Sequence, residues 1–156
     1  MAGATGRSGP AGTVGCATVT ERTLVILKPD TMRRGLMGDV LSRLERKGLR
    51  TVAIEQRTID VEMAARHYAE HVGKDFYPKL RDFVTSGPLV ALVVEGESAI
   101  DVVRILNGAT DGRAADPGTI RGDLSLSNRE NLVHGSDSVE SAQREIALWF
   151  PDIATA

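Results

Sequence analysis

Leu89-Val90-Ala91-Leu92-Val93-Val94 is the segment that most restricts how this chain can fold. Six apolar residues in a row, entered from the breaker Ser86-Gly87-Pro88 and followed by Glu95-Gly96, read as a central strand. Thr23 to Leu27 is a second short β-rich run, closed by Lys28-Pro29. Leu49 to Ile59, rich in Thr, Val and Ile, reads as a third strand, and a short one is expected near Leu132-Val133.

Helical patterns fill the gaps between these strands. Met37, Val40, Leu41 and Leu44 share one helical face, and Gly48 follows as a stop. Asp60 is the expected N-cap of a helix reaching about His71, and a shorter helix carries Phe76, Leu80, Phe83 and Val84. Ser98 to Leu106 places Ala99, Ile100, Val103 and Leu106 on one side. Thr110 to Gly122 reads as loop. A last helix is expected to start at Asp137 with Glu140 as capping-box partner, to turn Val139, Ala142, Ile146 and Trp149 inward, and to end at Pro151. Strands alternating with helices in two β-α-β-like halves, with no internal linker, predict one compact α+β sandwich over residues 21–156. Residues 1–20, built from Gly, Ala, Ser and Thr with glycine at every third position from Gly3 to Gly15, read as a flexible tail without the basic start and apolar core of a signal peptide.

Composition excludes several classes of function. The net charge of -2 provides no field to draw in nucleic acid or anionic lipid. The single cysteine, Cys16, fits a reducing compartment, and no apolar run reaches the roughly 18 residues that span a bilayer. A cytoplasmic protein is expected. No lysine is followed by Ser or Thr and no two glycines stand two apart, so neither a P-loop nor a dinucleotide fingerprint is present. His67 and His71 have the spacing of metal ligands on a helix, but no third ligand stands near them in sequence, so they are read as ordinary, partly exposed histidines. The charge run Arg43-Leu44-Glu45-Arg46-Lys47 is read as a solvated helix face, and Trp149 as core.

His134 stands apart from the other two histidines. It ends a short apolar run just before helix-starting residues, with Ser136 two residues on and Glu145 two turns into the next helix. A carboxylate that accepts one ring N–H holds the other nitrogen unprotonated and aimed outward, which is the form that attacks phosphorus. Separated cations at Lys28 and Arg121 suit chemistry on an anion.

Asn131-Leu132-Val133-His134-Gly135-Ser136-Asp137-Ser138 resembles the active-site signature of the nucleoside diphosphate kinases. The likeness runs from about Arg22 to Phe150. It includes Lys28-Pro29-Asp30, His67-Tyr68, Ser86-Gly87-Pro88, Val94-Glu95-Gly96, Gly108-Ala109-Thr110, Pro117 to Asp123, and Glu145 to Phe150. The resemblance implies a ferredoxin-like α/β sandwich with a four-stranded antiparallel sheet, assembled as a homo-hexamer or tetramer. It implies transfer of the γ-phosphoryl of a nucleoside triphosphate, ATP above all, to a nucleoside diphosphate, with Mg²⁺ on the nucleotide phosphates and through a phosphohistidine. By motif, His134 is the nucleophile, supported by Ser136 and Glu145. Lys28, Arg104, Thr110, Arg121 and Asn131 meet phosphates and ribose, Tyr68 lies near the phosphates, and Phe76 lies against the base. Two alternatives stay open: a family member that binds or regulates with weakened turnover, and a module that passes phosphate from histidine to another protein.

The chain departs from the family pattern at a few points. Thr31 stands where Gly is usual, Asp75 and Tyr77 flank Phe76 in place of Pro and Phe, and Leu124 replaces Phe. Asn128-Arg129-Glu130 replaces Val-Gly-Arg, so an apolar residue near the base is lost and a carboxylate is expected near the phosphates.

Overall fold

The sheet is built around β3 (Leu89–Glu97) and β1 (Thr20–Leu27), which run antiparallel with Val25 opposite Leu92 and Leu27 opposite Val90. β2 (Arg50–Arg57) pairs with the other side of β3, with an irregularity between Thr51 and Ala53, and the short β4 (Val133–Gly135) pairs with β1. The order β2-β3-β1-β4, antiparallel throughout, with helices over the sheet is the ferredoxin-like α/β sandwich. The structure is a computed structural model and describes residues 20–154. The tail and Cys16 lie outside the described residues. β1 begins at Thr20, one residue inside the segment read as tail, where it meets Glu97.

The unbroken apolar run of β3 follows from cover on both faces. Val25, Leu27, Val90, Leu92 and Val94 pack under α2 (Met37–Arg46) and α5 (Ala99–Asn107) through Val40, Leu44, Ala99 and Val103. Leu24, Ile26, Leu89, Ala91 and Val93 pack under α3 (Val61–His67), α4 (Tyr77–Val84) and α7 (Val139–Trp149) through Ala64, Phe83, Val84, Ile146 and Trp149. Alternate residues of each strand therefore serve different layers. Arg43, in the charged run of α2, lies on the surface and pairs with Asp39 and Asp123, while Leu44 is core.

Several local expectations are corrected. Helix 60–71 is shorter: Asp60 caps it by accepting the Met63 N–H at 2.8 Å, but α3 ends at His67 and a 3₁₀ turn spans Ala69–His71. A helix α1 (Pro29–Arg33) follows β1 directly, and α6 (Ile120–Leu124) starts within the expected loop, with Thr119 as its cap. Ser138, not Asp137, caps α7 by accepting the Ser141 N–H, so Glu140 is one place short of a capping-box partner and Val139 is 49% exposed rather than inward. α7 does stop short of Pro151, at Trp149, and Pro151 then opens a further short helix, α8 (Pro151–Ala154), where its missing N–H is no loss. Among the described residues no helix is long and apolar enough to cross a membrane.

Candidate active site

His134 sits in β4 opposite Ile26 of β1, so it shares the face covered by α3 and α7. Those helices bring it two neighbours. From α7, Glu145 places Oε2 3.0 Å from His134 Nε2, and the Ser136 hydroxyl donates to the same oxygen at 2.6 Å. Ser136 Oγ also accepts the Leu24 N–H, which ties this support to β1. A carboxylate at Nε2 can only accept, so in the neutral imidazole the proton sits on Nε2 and Nδ1 keeps its lone pair. From α3, the buried His67 ring stands edge-to-face on His134 with centroids 4.7 Å apart.

Gly135 follows His134 because α5 passes close by: a Cβ there would meet Val103 Cγ1 at 2.8 Å and Asn107 Nδ2 at 3.0 Å. The residue two before the histidine is held under strain. Leu132 has φ 71°, costly for a branched side chain by about 1–3 kcal/mol. Its N–H donates to Asp30 Oδ2 at 3.0 Å, and its carbonyl accepts from the Lys28 N–H at 2.8 Å and the Thr31 hydroxyl at 2.5 Å. Thr31, the residue in place of glycine, thus adds a clamp on the histidine strand. Burial pushes the Asp30 carboxyl up, against the Leu132 N–H and Lys28, which pull it down.

The cations are arranged around the same strand. Lys28 Nζ donates to Asn131 Oδ1 at 2.7 Å, and the Asn131 amide donates to the carbonyls of Thr110 and Asn128. Burial, reinforced by the Arg121 charge, lowers the Lys28 ammonium to about 8, with Asp30 opposing. Arg121 donates to the carbonyls of Asn131, Gly108 and Val133 at 3.1, 2.8 and 2.7 Å. Three of its five N–H groups hold backbone in place and two remain. Burial lowers this guanidinium to about 10, so it stays charged at neutral pH. Arg104 is exposed and donates to the Asp137 carbonyl at 3.1 Å.

His134, Glu145, Lys28, Asn131, Arg121 and Arg104 line one open cleft of about 1410 Å³ together with Tyr68, Phe76 and Thr110, while Ser136, Asp30, Thr31 and Leu132 support it without lining it. That exceeds the roughly 300–1,000 Å³ of ordinary small-molecule pockets, with room for a long polar ligand. At one end Phe76 is 49% exposed and faces His71, which stacks on Tyr68. Burial and the Glu145 charge hold the Tyr68 phenol in its protonated form.

Local sequence did not disclose His67, Asn107, Arg113 and Arg144, which also line the cleft. His67 is 4% exposed, not partly exposed, and its partners come from far along the chain: Trp149 Nε1–H donates to its Nδ1 at 3.1 Å. Glu130 is corrected as well, since it pairs with Arg33 on the surface and does not line the cleft. Of the Asn128-Arg129-Glu130 substitutions, Asn128 and Arg129 do reach the rim.

Comparisons with known proteins agree with this geometry. The profile of the family described as nucleoside diphosphate kinase matches residues 21–154. The chain is 73% identical to the nucleoside diphosphate kinase of a Nocardioides species over 132 residues, covering 85% of this chain and 98% of that one. It is 60% identical to that of Mycobacterium tuberculosis over 134 residues, with the same shares covered. Among solved structures, a halophilic nucleoside diphosphate kinase from Halobacterium salinarum in complex with CDP superposes with a TM-score of 0.84 at 50% identity, covering 87% of this chain and 91% of that chain. The enzyme from Encephalitozoon cuniculi gives 0.84 at 37% identity, covering 86% of this chain and 91% of that one. A match over nearly all described residues, at such identities and with the same fold, assigns this chain to the nucleoside diphosphate kinase family, which are phosphotransferase enzymes.

Proposed function

We propose that the chain moves the γ-phosphoryl of a nucleoside triphosphate to a nucleoside diphosphate through a phosphohistidine on Nδ1 of His134. The observation that carries this reading is the Glu145 carboxylate 3.0 Å from Nε2, with Ser136 fixing the carboxylate from behind. In the first half-reaction the Nδ1 lone pair attacks the γ-phosphorus and the bond to the β–γ bridging oxygen breaks, releasing the diphosphate. The ring then carries positive charge, and Glu145 stabilises it across the Nε2–H. In the second half-reaction a different diphosphate attacks the phosphoryl and returns the ring to its neutral form. One site serving two nucleotides in turn gives ping-pong kinetics.

The other roles follow from charge and position. Lys28, Arg104 and Arg121 offset the negative charge spread over the equatorial oxygens of the transferring group. Asn131 and Thr110 set the backbone around Lys28 and contact ribose and phosphate, and the protonated Tyr68 donates toward the phosphates. Phe76 offers a flat apolar face to the base, a contact indifferent to base identity. Mg²⁺ enters on the phosphate oxygens as part of the substrate. Among the described residues the one cluster of metal-binding groups is His67, His134 and Glu145, two imidazoles and a carboxylate, which is not the oxygen set Mg²⁺ prefers. The single cysteine supports placing the protein in the cytoplasm, and the family likeness supports a homo-oligomer, hexamer or tetramer.

Initial rates with ATP as donor and GDP, CDP or UDP as acceptor test the proposal. Parallel lines in double-reciprocal plots for all three acceptors are expected, whereas converging lines would mean direct transfer in a ternary complex.

A further inference from the structure

One group beside the nucleophile has no task in this scheme. His67 is buried, its Nδ1 accepts the Trp149 indole N–H, and its Nε2 meets no hydrogen-bond partner among the described residues. A neutral imidazole carries one ring proton, and an indole N–H only donates. With Nδ1 accepting, the proton of His67 sits on Nε2. Burial keeps the ring neutral, and the Arg144 and Lys28 cations act in the same direction.

That proton matters because of what surrounds it. One ring nitrogen each from His67 and His134 and a carboxylate oxygen of Glu145 lie within 4.8 Å of one another. Two imidazoles and a carboxylate are a ligand set for zinc and its neighbours. A metal-binding histidine ordinarily donates its far N–H to a carbonyl or carboxylate, which leaves the near nitrogen free to bind. Here the polarity is reversed: Nδ1 faces a donor and Nε2 holds the hydrogen, so neither ring nitrogen of His67 is open to a metal.

We propose that Trp149 is a tautomer lock on His67, and that the lock keeps transition-metal ions off the nucleophile His134. Occupation of the trio would tie up the Nε2 side of His134 and remove Glu145 from its task, so a closed trio protects the phosphoryl-accepting form. Trp149 acts through His67 and is a positioning residue. The consequence for turnover rests on the reading of His134 as nucleophile, but the lock itself does not.

The test combines tautomer and metal affinity. Long-range ¹H–¹⁵N correlation spectra of the native protein are expected to show the His67 proton on Nε2. Zn²⁺ is then titrated without nucleotide, against a chromophoric chelator, into native protein, Trp149→Phe, His67→Phe and the double variant. Trp149→Phe is expected to bind Zn²⁺ at least tenfold more tightly than native, with the gain absent from the double variant. Zn²⁺-loaded Trp149→Phe is expected to take phosphoryl from ATP at least tenfold more slowly, with recovery after chelation. A His67 proton on Nδ1, a native affinity that falls in His67→Phe, or a folded Trp149→Phe with native affinity would each overturn the proposal. Should Trp149→Phe fail to fold, the tautomer and the comparison of native with His67→Phe still decide. A native chain that takes no phosphoryl from ATP refutes the nucleophile reading while leaving the tautomer and affinity results intact.

Discussion

Replacing Glu145 by Gln isolates the charge that supports the nucleophile while keeping its shape. Before attack His134 is neutral, and Glu145 Oε2 only accepts its Nε2–H at 3.0 Å. As the N–P bond forms the ring gains a full charge, and at that separation a unit pair at an effective dielectric constant of 20 is worth about 5 kcal/mol. The Glu145 side chain is 5% exposed and that of His134 22%, so solvent screens the pair only in part. Gln retains a carbonyl that accepts from both His134 and Ser136, and this preserves roughly half of the interaction. The remainder, about 2–3 kcal/mol, corresponds to a phosphoryl-uptake rate about 30–150-fold lower. Quench-flow measurement of a single turnover with labelled ATP reads this step directly. The lost term belongs to the transition state, so ATP affinity is expected to change less than threefold. A Glu145→Gln uptake rate within threefold of native would refute the argument, because the carboxylate charge would then contribute nothing to attack.

Further expectations concern the cations and the frame. With Lys28 lowered to about 8, kcat/KM for MgATP should fall as pH rises through that value, since deprotonation removes a phosphate-facing charge; a flat profile to pH 9.5 would contradict it. Arg121→Lys cannot reach the carbonyls of Gly108, Asn131 and Val133 together, and is expected to cost about 2–4 kcal/mol in denaturant unfolding as well as activity. Phe76→Ala should raise KM about tenfold for purine and pyrimidine nucleotides alike, the size of one lost base stack, whereas loss for one base alone would speak against stacking. Ser138→Ala should lower stability by about 1 kcal/mol through loss of the α7 cap, while Asp137→Ala should not remove that cap.

The strands were readable where burial leaves a mark on composition. β3 is apolar without interruption from Leu89 to Val94 because both faces are covered there, and β1 is similar over Leu24 to Leu27. The α7 start was misplaced by one residue because Asp137 and Ser138 are both good caps, and only backbone geometry separates them. α6 was hidden in a stretch rich in Gly, Asp and Pro, where Ile120 is the one fully buried apolar residue. At the site, His134, Ser136 and Glu145 were legible because they lie within a few turns of each other. His67 was not, because nothing near it in sequence marks it as buried, and the residue that fixes its tautomer, Trp149, lies 82 positions away. Glu130 was misread for a related reason: its ion pair with Arg33, on α1, points it away from the cleft.

The claim that His134 carries the phosphoryl is tested most directly by intact mass. Native protein and His134→Ala are each incubated with ATP and Mg²⁺, then with GDP. The account predicts one acid-labile phosphoryl on the native chain and none on His134→Ala, with discharge as GTP forms. A native chain that gains no phosphoryl, or gains one that GDP does not remove, would contradict it.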